Sequence, residues 1–171
     1  MTPGPRMASL LLVASLLVGG CGYSLRGSLP AHIKTVHVPV LQNKTQEPGI
    51  EDFVTQALTE AVVTSGRVKI APNATQADAV LEGSIVEYSL TSLAFDRSAN
   101  VTQYRLRIAL SLTFRDRVRN QVLWRQDRIE DRADFPVSGP VTQTLAREDQ
   151  ALRRAAVDVS RAIVSLAFEG F

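Results

Sequence analysis

The sequence predicts an α+β fold, a two-layer sandwich in which two amphipathic helices cover one face of a roughly four-stranded, largely antiparallel sheet. Apolar residues recur at helical spacing in two segments, residues 50–62 and residues 145–166. Between them, residues 102–114 alternate apolar and polar side chains, which is typical of a strand covered on one face only. A chain of 171 residues, 45% of them hydrophobic, has the size and composition of one domain with a packed core.

The elements of this domain follow from changes of period along the chain. Residues 33–40 predict a first strand, because valines recur at alternate positions and Pro39 indicates an edge or a bulge. The helical period then begins after Gly49 and ends at Gly66. The predicted elements that follow are a short strand at 67–71, a long strand at 79–95, a polar hairpin tip at 96–100, a strand at 102–114, a turn near 119–120, a strand at 121–131, a loop at 135–144 and the second helix.

The first 20 residues have the three parts of a secretory signal. Arg6 supplies the positive charge, residues 8–18 form an apolar run too short to span a membrane, and two glycines precede the cleavage position. The stretch VGGC resembles a bacterial lipobox, in which a diacylglycerol is attached to the cysteine thiol and a peptidase then cuts before that cysteine. We therefore expect Cys21 to be the first residue of the mature protein and its lipid attachment point.

Cys21 is the only cysteine of the chain, so an internal disulfide is excluded. A buried structural thiol, a reactive nucleophile and an attachment point are the three roles open to it. Its position favours attachment over an ordinary signal with an accidental cysteine, and no cysteine-enzyme signature with a histidine follows. We expect a lipoprotein signal peptide at 1–20, a lipidated linker at 21–32 and a single periplasmic domain at 33–171. An aspartate directly after the lipidated cysteine resembles an inner-membrane retention signal. This chain has Gly22 at that position, which favours the outer membrane.

No motif of a catalytic or phosphate-binding site occurs in the sequence, so we expect a protein that is not an enzyme. His32 and His37 are the only histidines, and neither has a second ligand at helical spacing. We therefore expect no metal site and no cofactor. The formal net charge of +2 is too small to indicate nucleic-acid binding.

Arginines are concentrated in the predicted hairpin strands. Arg105 and Arg107 fall on the polar side of the alternating strand, and Arg97 lies in the hairpin tip. Two interpretations stay open. The arginines belong to a solvated sheet face and pair with acids on neighbouring strands, or they form a surface that binds anionic groups such as phosphates. Acidic residues at 127–134 are interleaved with arginines, which favours charge pairs over a cation site there.

The residues after the predicted cleavage site, CGYSLRG, resemble the start of mature proteins of the LptE family, the lipopolysaccharide-assembly lipoproteins. The matching positions are Cys21, Gly22, Tyr23, Leu25, Arg26 and Gly27. The stretches ADAVLEGSIVEYS, TQYRLRIALSLTF and RRAAVDVSRAIV are similar to the family's next long strand, its tyrosine-bearing strand and its final helix. The resemblance spans nearly all of the mature chain.

This resemblance implies a role without catalysis, as a plug inside a large LptD-like outer-membrane β-barrel in a 1:1 complex. Together the two proteins would place lipopolysaccharide in the outer leaflet. The family's proposed contact with lipid A phosphates is made by basic residues near a hairpin tip, where this chain has Arg97. Arg105 and Arg107 are further candidates from the arginine pattern. The competing interpretation is an independent lipoprotein that acts as a ligand-binding or envelope scaffold module.

Overall fold

A computed structural model describes residues 29–137 and 139–169 of the chain. The regular elements are β1 (Thr35–His37), β2 (Gln42–Asn43), α1 (Ile50–Ser65), β3 (Lys69–Ile70), β4 (Ala79–Phe95), β5 (Val101–Asp116), β6 (Gln121–Pro136) and α2 (Val141–Val164). A 3-10 turn at Ala74–Gln76 precedes β4, and a π-helical turn at Ser165–Glu169 follows α2. The predicted signal peptide, Cys21 and most of the predicted linker lie outside the described residues.

The α+β class with two helices is confirmed, but the sheet differs from the prediction. Six strands form one mixed sheet in the order β3-β1-β4-β5-β6, and β2 also pairs with β4. The long strands β4, β5 and β6 are antiparallel, whereas β1, β2 and β3 join through parallel pairs. The prediction of roughly four, largely antiparallel strands was therefore wrong. The predicted strands at 33–40 and 67–71 contain β1 and β3, whereas β2 has only two residues and is too short for an alternating pattern to reveal it.

The strand predicted at 33–40 is divided in two. β1 ends at His37, and the chain returns to β4 only at β2, after it has passed Pro39. Between the two strands, the Leu41 amide donates a hydrogen bond to the Thr55 hydroxyl of α1 at 3.0 Å, and the Leu41 side chain is buried. The segment thus leaves the sheet where proline cannot donate a backbone hydrogen bond.

The bounds of α1 agree with its predicted glycine limits. Gly49 and Gly66 adopt φ angles of 83° and 65°, in the left-handed region that glycine enters without steric cost. Helix α2 begins four residues before the predicted apolar stripe, at Val141, and β6 continues to Pro136. The loop predicted at 135–144 is therefore much shorter than expected.

Both helices pack on the same face of the sheet and form one hydrophobic core with it. From β5 the core receives side chains at alternate positions, which confirms the predicted pattern; they are Leu106, Ile108, Leu110, Leu112 and Phe114. The rings of Phe114 and Phe168 meet edge to face with centroids 5.4 Å apart, so the turn after α2 also covers the sheet. Within the described residues, no helix is both long and apolar enough to cross a membrane.

Candidate functional site

The sheet face opposite the helices carries most of the arginines of the hairpin strands. We call it the open face and define it by the cross-strand partners that share it: Glu82, Ser84, Glu87, Ser89 and Thr91 of β4, Arg105, Arg107, Ser111, Thr113 and Arg115 of β5, and Arg125, Glu130, Arg132 and Asp134 of β6. Arg105 and Arg107 are thus brought together on one polar face, as the alternation predicted.

Arg105 is held by an acid of the neighbouring strand. Its Nε and Nη2 atoms donate hydrogen bonds to the two carboxylate oxygens of Asp134, at 2.7 and 2.8 Å. This paired guanidinium keeps the pKa of Asp134 below its usual range, because it stabilises the charged carboxylate. Two of the five donors of Arg105 are therefore already used within the sheet.

Arg107 is held much more loosely. Its Nη1 atom lies 4.0 Å from Oε1 of Glu87, and the other oxygen of Glu87 accepts a hydrogen bond from Arg128. The hydrogen bond from Arg128 is also the main reason why the pKa of Glu87 is lowered. Arg132 of β6 is the direct cross-strand partner of Arg107 and has the same charge. Like charges on directly paired positions repel each other, so this part of the open face is suited to an anion that bridges both arginines.

Arg97 lies at the exposed tip of the β4–β5 hairpin. Asp96 organises this tip, because its carboxylate accepts hydrogen bonds from the backbone amides of Ser98 and Asn100 at 2.8 and 2.9 Å. Bonds from Asn100, first its side chain and then its backbone, lower the pKa of Asp96. The Arg97 guanidinium has no hydrogen-bond or ion-pair partner among the residues that the structure describes. The hydrogen bonds of Asp96 thus fix the conformation of the turn, and the Arg97 side chain is available to contact a ligand.

Arg97 does not share a site with the other two predicted arginines. Arg105 lies four residues inside β5, which corresponds to about 13 Å at a rise of about 3.3 Å per residue. A small anion therefore cannot contact Arg97 and Arg105 together. A larger molecule with several phosphates is able to span that distance along the strand.

Exposed apolar residues near the tip were not predicted as functional. Phe95 of β4 is 59% exposed, and Val141 and Leu145 in the first turns of α2 are 74% and 58% exposed. The Tyr88 hydroxyl donates a hydrogen bond to Glu148 at 2.7 Å and so ties this part of α2 to β4. Burial, and then the bond to Glu148, raise the pKa of Tyr88. The signal in the sequence was the run of apolar residues in SLTSLAF, which the prediction assigned only to a strand.

The remaining polar clusters are structural. Arg125 pairs with Asp127 at 2.9 Å and Arg128 with Glu130 at 2.9 Å, in line with the predicted charge pairs of the last strand. His32 pairs with Asp116, and His37 Nδ1 lies 3.1 Å from the carbonyl oxygen of Ala71. No group of three or more metal-ligating side chains occurs in the described part of the chain.

Comparisons with known proteins agree with this architecture. The sequence model of the LptE family, described as lipopolysaccharide-assembly, matches residues 33–166. The fold is similar to uncharacterized lipoprotein B of Nitrosomonas europaea, with a TM-score of 0.57, 18% identity and coverage of 85% of this chain and 90% of that one. A minor lipoprotein of Acinetobacter baumannii gives 0.52 at 16% identity, covering 81% of this chain and 92% of that chain.

The PelC dodecamer of Paraburkholderia phytofirmans is a third structure with this fold, with a TM-score of 0.51, 16% identity and coverage of 81% of this chain and 92% of that chain. At such identities these likenesses concern the fold alone. No curated protein has a matching sequence.

Proposed function

The chain belongs to the LptE lipopolysaccharide-assembly family, whose model spans residues 33–166, and on this basis we propose that it is an outer-membrane lipoprotein that helps to insert lipopolysaccharide into the outer leaflet. The family match is the observation that carries the proposal. The role is one of binding and assembly and involves no catalysis.

The first part of the proposal concerns the anchor. Cys21 carries the lipid, and the mature chain faces the periplasm from the outer membrane. The support is the VGGC stretch with the only cysteine of the chain at its last position. Two or more acyl chains on one residue hold a protein firmly to a membrane, whereas one chain alone gives marginal binding.

The second part concerns the partner. We assign the domain the role of a plug in the lumen of a large LptD-like β-barrel, in a 1:1 complex in which it also assists assembly of the barrel. The domain offers a long hairpin for this role, since β4 and β5 each extend over 16 residues or more. Within the sheet Arg105 is paired with Asp134, whereas Arg97 at the hairpin tip has no partner among the described residues and is available for contact.

The third part concerns lipopolysaccharide itself. Lipid A combines phosphates with acyl chains, so a surface that binds it needs a cation next to apolar side chains. The hairpin tip has Arg97 without a partner among the described residues, and exposed Phe95 lies two positions away. Arg105 and Arg107 extend the cationic surface along the open face.

The partnership is tested by purifying the affinity-tagged full-length protein from detergent-solubilised outer membranes. We expect a large β-barrel protein to co-purify in a 1:1 ratio. Recovery of the protein at full yield without a barrel would overturn the partnership and favour the independent ligand-binding or scaffold module. Metabolic labelling with radioactive palmitate tests the anchor separately, because the Cys21→Ser variant should lose the label.

A further inference from the structure

The described chain begins at Leu29, at the end of the sheet away from the hairpin tip. β4 begins at this end and β5 finishes here, since Ala79 pairs with both Val36 of β1 and Asp116 of β5. Leu29 lines a surface cavity of about 350 Å³ together with Lys34, Arg67 and Phe168. The end that carries Leu29 is therefore the end closest in sequence to Cys21.

Five basic side chains are exposed at this end, and we call them the basic end: Lys34, Arg67, Lys69, Arg117 and Arg119. Backbone hydrogen bonds connect the segments that carry Lys34, Lys69 and Arg117. The Lys69 amide donates to the Lys34 carbonyl at 2.9 Å, and the Arg117 amide donates to the Asp78 carbonyl at 2.8 Å. Asp78 in turn accepts a hydrogen bond from the Lys34 amide at 2.9 Å.

The acids that adjoin the basic end do not neutralise these side chains. One oxygen of Asp78 accepts three hydrogen bonds, from the Lys34 amide and from the amide and hydroxyl of Thr35. Asp116 is fully buried and bonds to His32 and to the backbone amide of Arg119. Among the described residues, the side chains of Lys34, Arg67, Lys69 and Arg119 have no hydrogen-bond or ion-pair partner.

This positive charge comes from uneven distribution and not from an overall excess. All 17 acidic residues of the chain lie between residues 29 and 169, and two of the 19 basic residues, Arg6 and Arg26, lie before that range. The described domain thus has no formal net charge with neutral histidines. The five cations of the basic end therefore create a positive electrostatic potential at this end of the domain.

An exposed apolar side chain lies within the basic end. Val118 is 65% exposed in the turn between β5 and β6, and its neighbours are Arg117 and Arg119. Arg117 also uses part of its guanidinium to bind the carbonyl oxygens of Ala74 and Ala77, which steadies the turn. Cations that flank an apolar residue are typical of surfaces that sit at a membrane interface.

We propose that the basic end docks on anionic phospholipid head groups of the leaflet that holds the Cys21 lipid. The inference rests on the proposed anchor. Residues 22–28 span at most about 25 Å, at about 3.5 Å per extended residue, so this end cannot move far from the membrane. Attraction to head groups acts over a Debye length of about 8 Å and orients the hairpin away from that leaflet.

The test uses vesicles without lipopolysaccharide or barrel, so its outcome is independent of both partners in the proposed function. Because the hydrophobic core is built from residues 33–168, the protein without residues 1–20 and with Cys21→Ser retains the fold and has no lipid anchor. We expect it to sediment with vesicles of phosphatidylcholine and phosphatidylglycerol in a 7:3 ratio and not with vesicles of pure phosphatidylcholine. Because 0.5 M NaCl shortens the Debye length to about 4 Å, this salt should release the protein from the mixed vesicles.

The deciding variant combines Lys34→Gln, Arg67→Gln and Arg119→Gln. At about fivefold per charge, the partition coefficient should fall about 100-fold. The matched control combines Lys44→Gln, Arg153→Gln and Arg154→Gln, which removes the same charge from exposed positions outside the basic end, the open face and the hairpin tip. Equal binding of the first triple and the parent, or equal losses in both triples, would overturn the proposal. If the first triple is less folded by circular dichroism, Arg119→Gln alone should still lose about fivefold.

The intact lipoprotein offers a second readout. With Cys21 acylated, an introduced cysteine is the only free thiol. An environment-sensitive dye on Val118→Cys should shift to the blue in the 7:3 vesicles, and the same dye on Ser98→Cys at the hairpin tip should not. The same shift at both positions, or at neither, would contradict docking by the basic end.

Discussion

His32 Nε2 lies 2.7 Å from Oδ2 of Asp116, and this contact joins the start of the domain to the end of β5. The other carboxylate oxygen of Asp116 accepts a hydrogen bond from the Arg119 amide at 3.0 Å. Burial raises the pKa of Asp116, but the bonds from Arg119 and His32 outweigh this effect, so the pKa lies below its usual value. The buried carboxylate is therefore charged and satisfied at neutral pH.

Replacing Asp116 by asparagine should make stability less dependent on pH. A carboxylate whose pKa is lowered by folding stabilises the fold above its unfolded pKa of about 3.9, and this stabilisation is lost as the pH falls through the folded pKa. We expect Asp116→Asn to lower Tm at pH 7 and to lose less Tm than the parent between pH 5 and pH 3. Thermal unfolding followed by circular dichroism measures both. Exposed Asp127→Asn is the control, and equal Tm values at pH 7 for parent and Asp116→Asn would contradict the assignment.

Gly83→Ala should disrupt the central pair of strands. A methyl group at Gly83 would collide with the carbonyl oxygen of Ser111 and lie 2.9 Å from the Cα of Leu112, both backbone atoms of β5. Because backbone cannot rotate away, we expect a loss of about 3 kcal/mol in the free energy of unfolding, at the upper end of overpacking costs. Urea denaturation measures it. Ser89→Ala, in the same strand, should cost less than about 0.5 kcal/mol, and a Gly83→Ala variant as stable as this control would refute the close approach.

Ser160→Ala should leave stability unchanged or increase it. The Ser160 hydroxyl is buried on α2 and has no hydrogen-bond partner among the described residues. Its removal relieves the cost of an unsatisfied polar group, up to about 1 kcal/mol in the free energy of unfolding. The matched variant is Ser65→Ala, whose hydroxyl donates to the Val62 carbonyl at 2.6 Å and should lose about 1 kcal/mol. A larger loss at Ser160 than at Ser65 would disprove this account.

Arg97→Glu should weaken lipopolysaccharide binding without a change in stability. The Arg97 side chain is exposed and has no partner among the described residues, so its charge reversal affects a ligand and not the fold. We expect at least about a tenfold loss of affinity, because a favourable charged contact is replaced by repulsion. The control is Arg161→Glu in the last turn of α2. Binding titrations with purified lipopolysaccharide decide the matter, and equal affinities for Arg97→Glu and the parent would remove the tip from the site.

Asp134→Asn should reveal whether Arg105 binds lipid. Asp134 holds both the Nε and Nη2 atoms of Arg105, so its neutralisation frees this guanidinium. If the open face binds phosphates, Asp134→Asn should strengthen lipopolysaccharide binding and Arg105→Gln should weaken it. Opposite effects in the same titration support an anion-binding face. No effect from either variant would identify the pair as a cross-strand contact of the sheet.

The prediction succeeded where a pattern repeats over many residues. The long strand predicted at 79–95 has those bounds, and the alternation at 102–114 places Arg105 and Arg107 on the face without helices. It was wrong about the number of strands and about how the short strands pair. The parallel pairing of β1 with β3 joins residues more than 30 positions apart, which no local period encodes.

The candidate site was only partly predictable for the same reason. Arg97 was placed at a hairpin tip, and that position is confirmed. The sequence could not indicate that Asp134 occupies Arg105 while Arg107 stands opposite Arg132, because cross-strand register decides such pairs. Nor could it indicate that Lys34, Arg67 and Arg119, from three separate segments, lie at the same end of the sheet.

The sequence by itself determined the two helices, the three long strands and their inward and outward faces, because each is a local period of apolar side chains. It also determined the position of the single cysteine and the predicted lipid anchor. Only the tertiary structure decided which charges are neutralised. Asp116 is buried by the fold, Arg105 pairs with Asp134 because of the strand register, and the residues of the basic end come from separate segments of the chain. The sequence does not show these relationships, because electrostatic interactions depend on distances in space and not on separation along the chain.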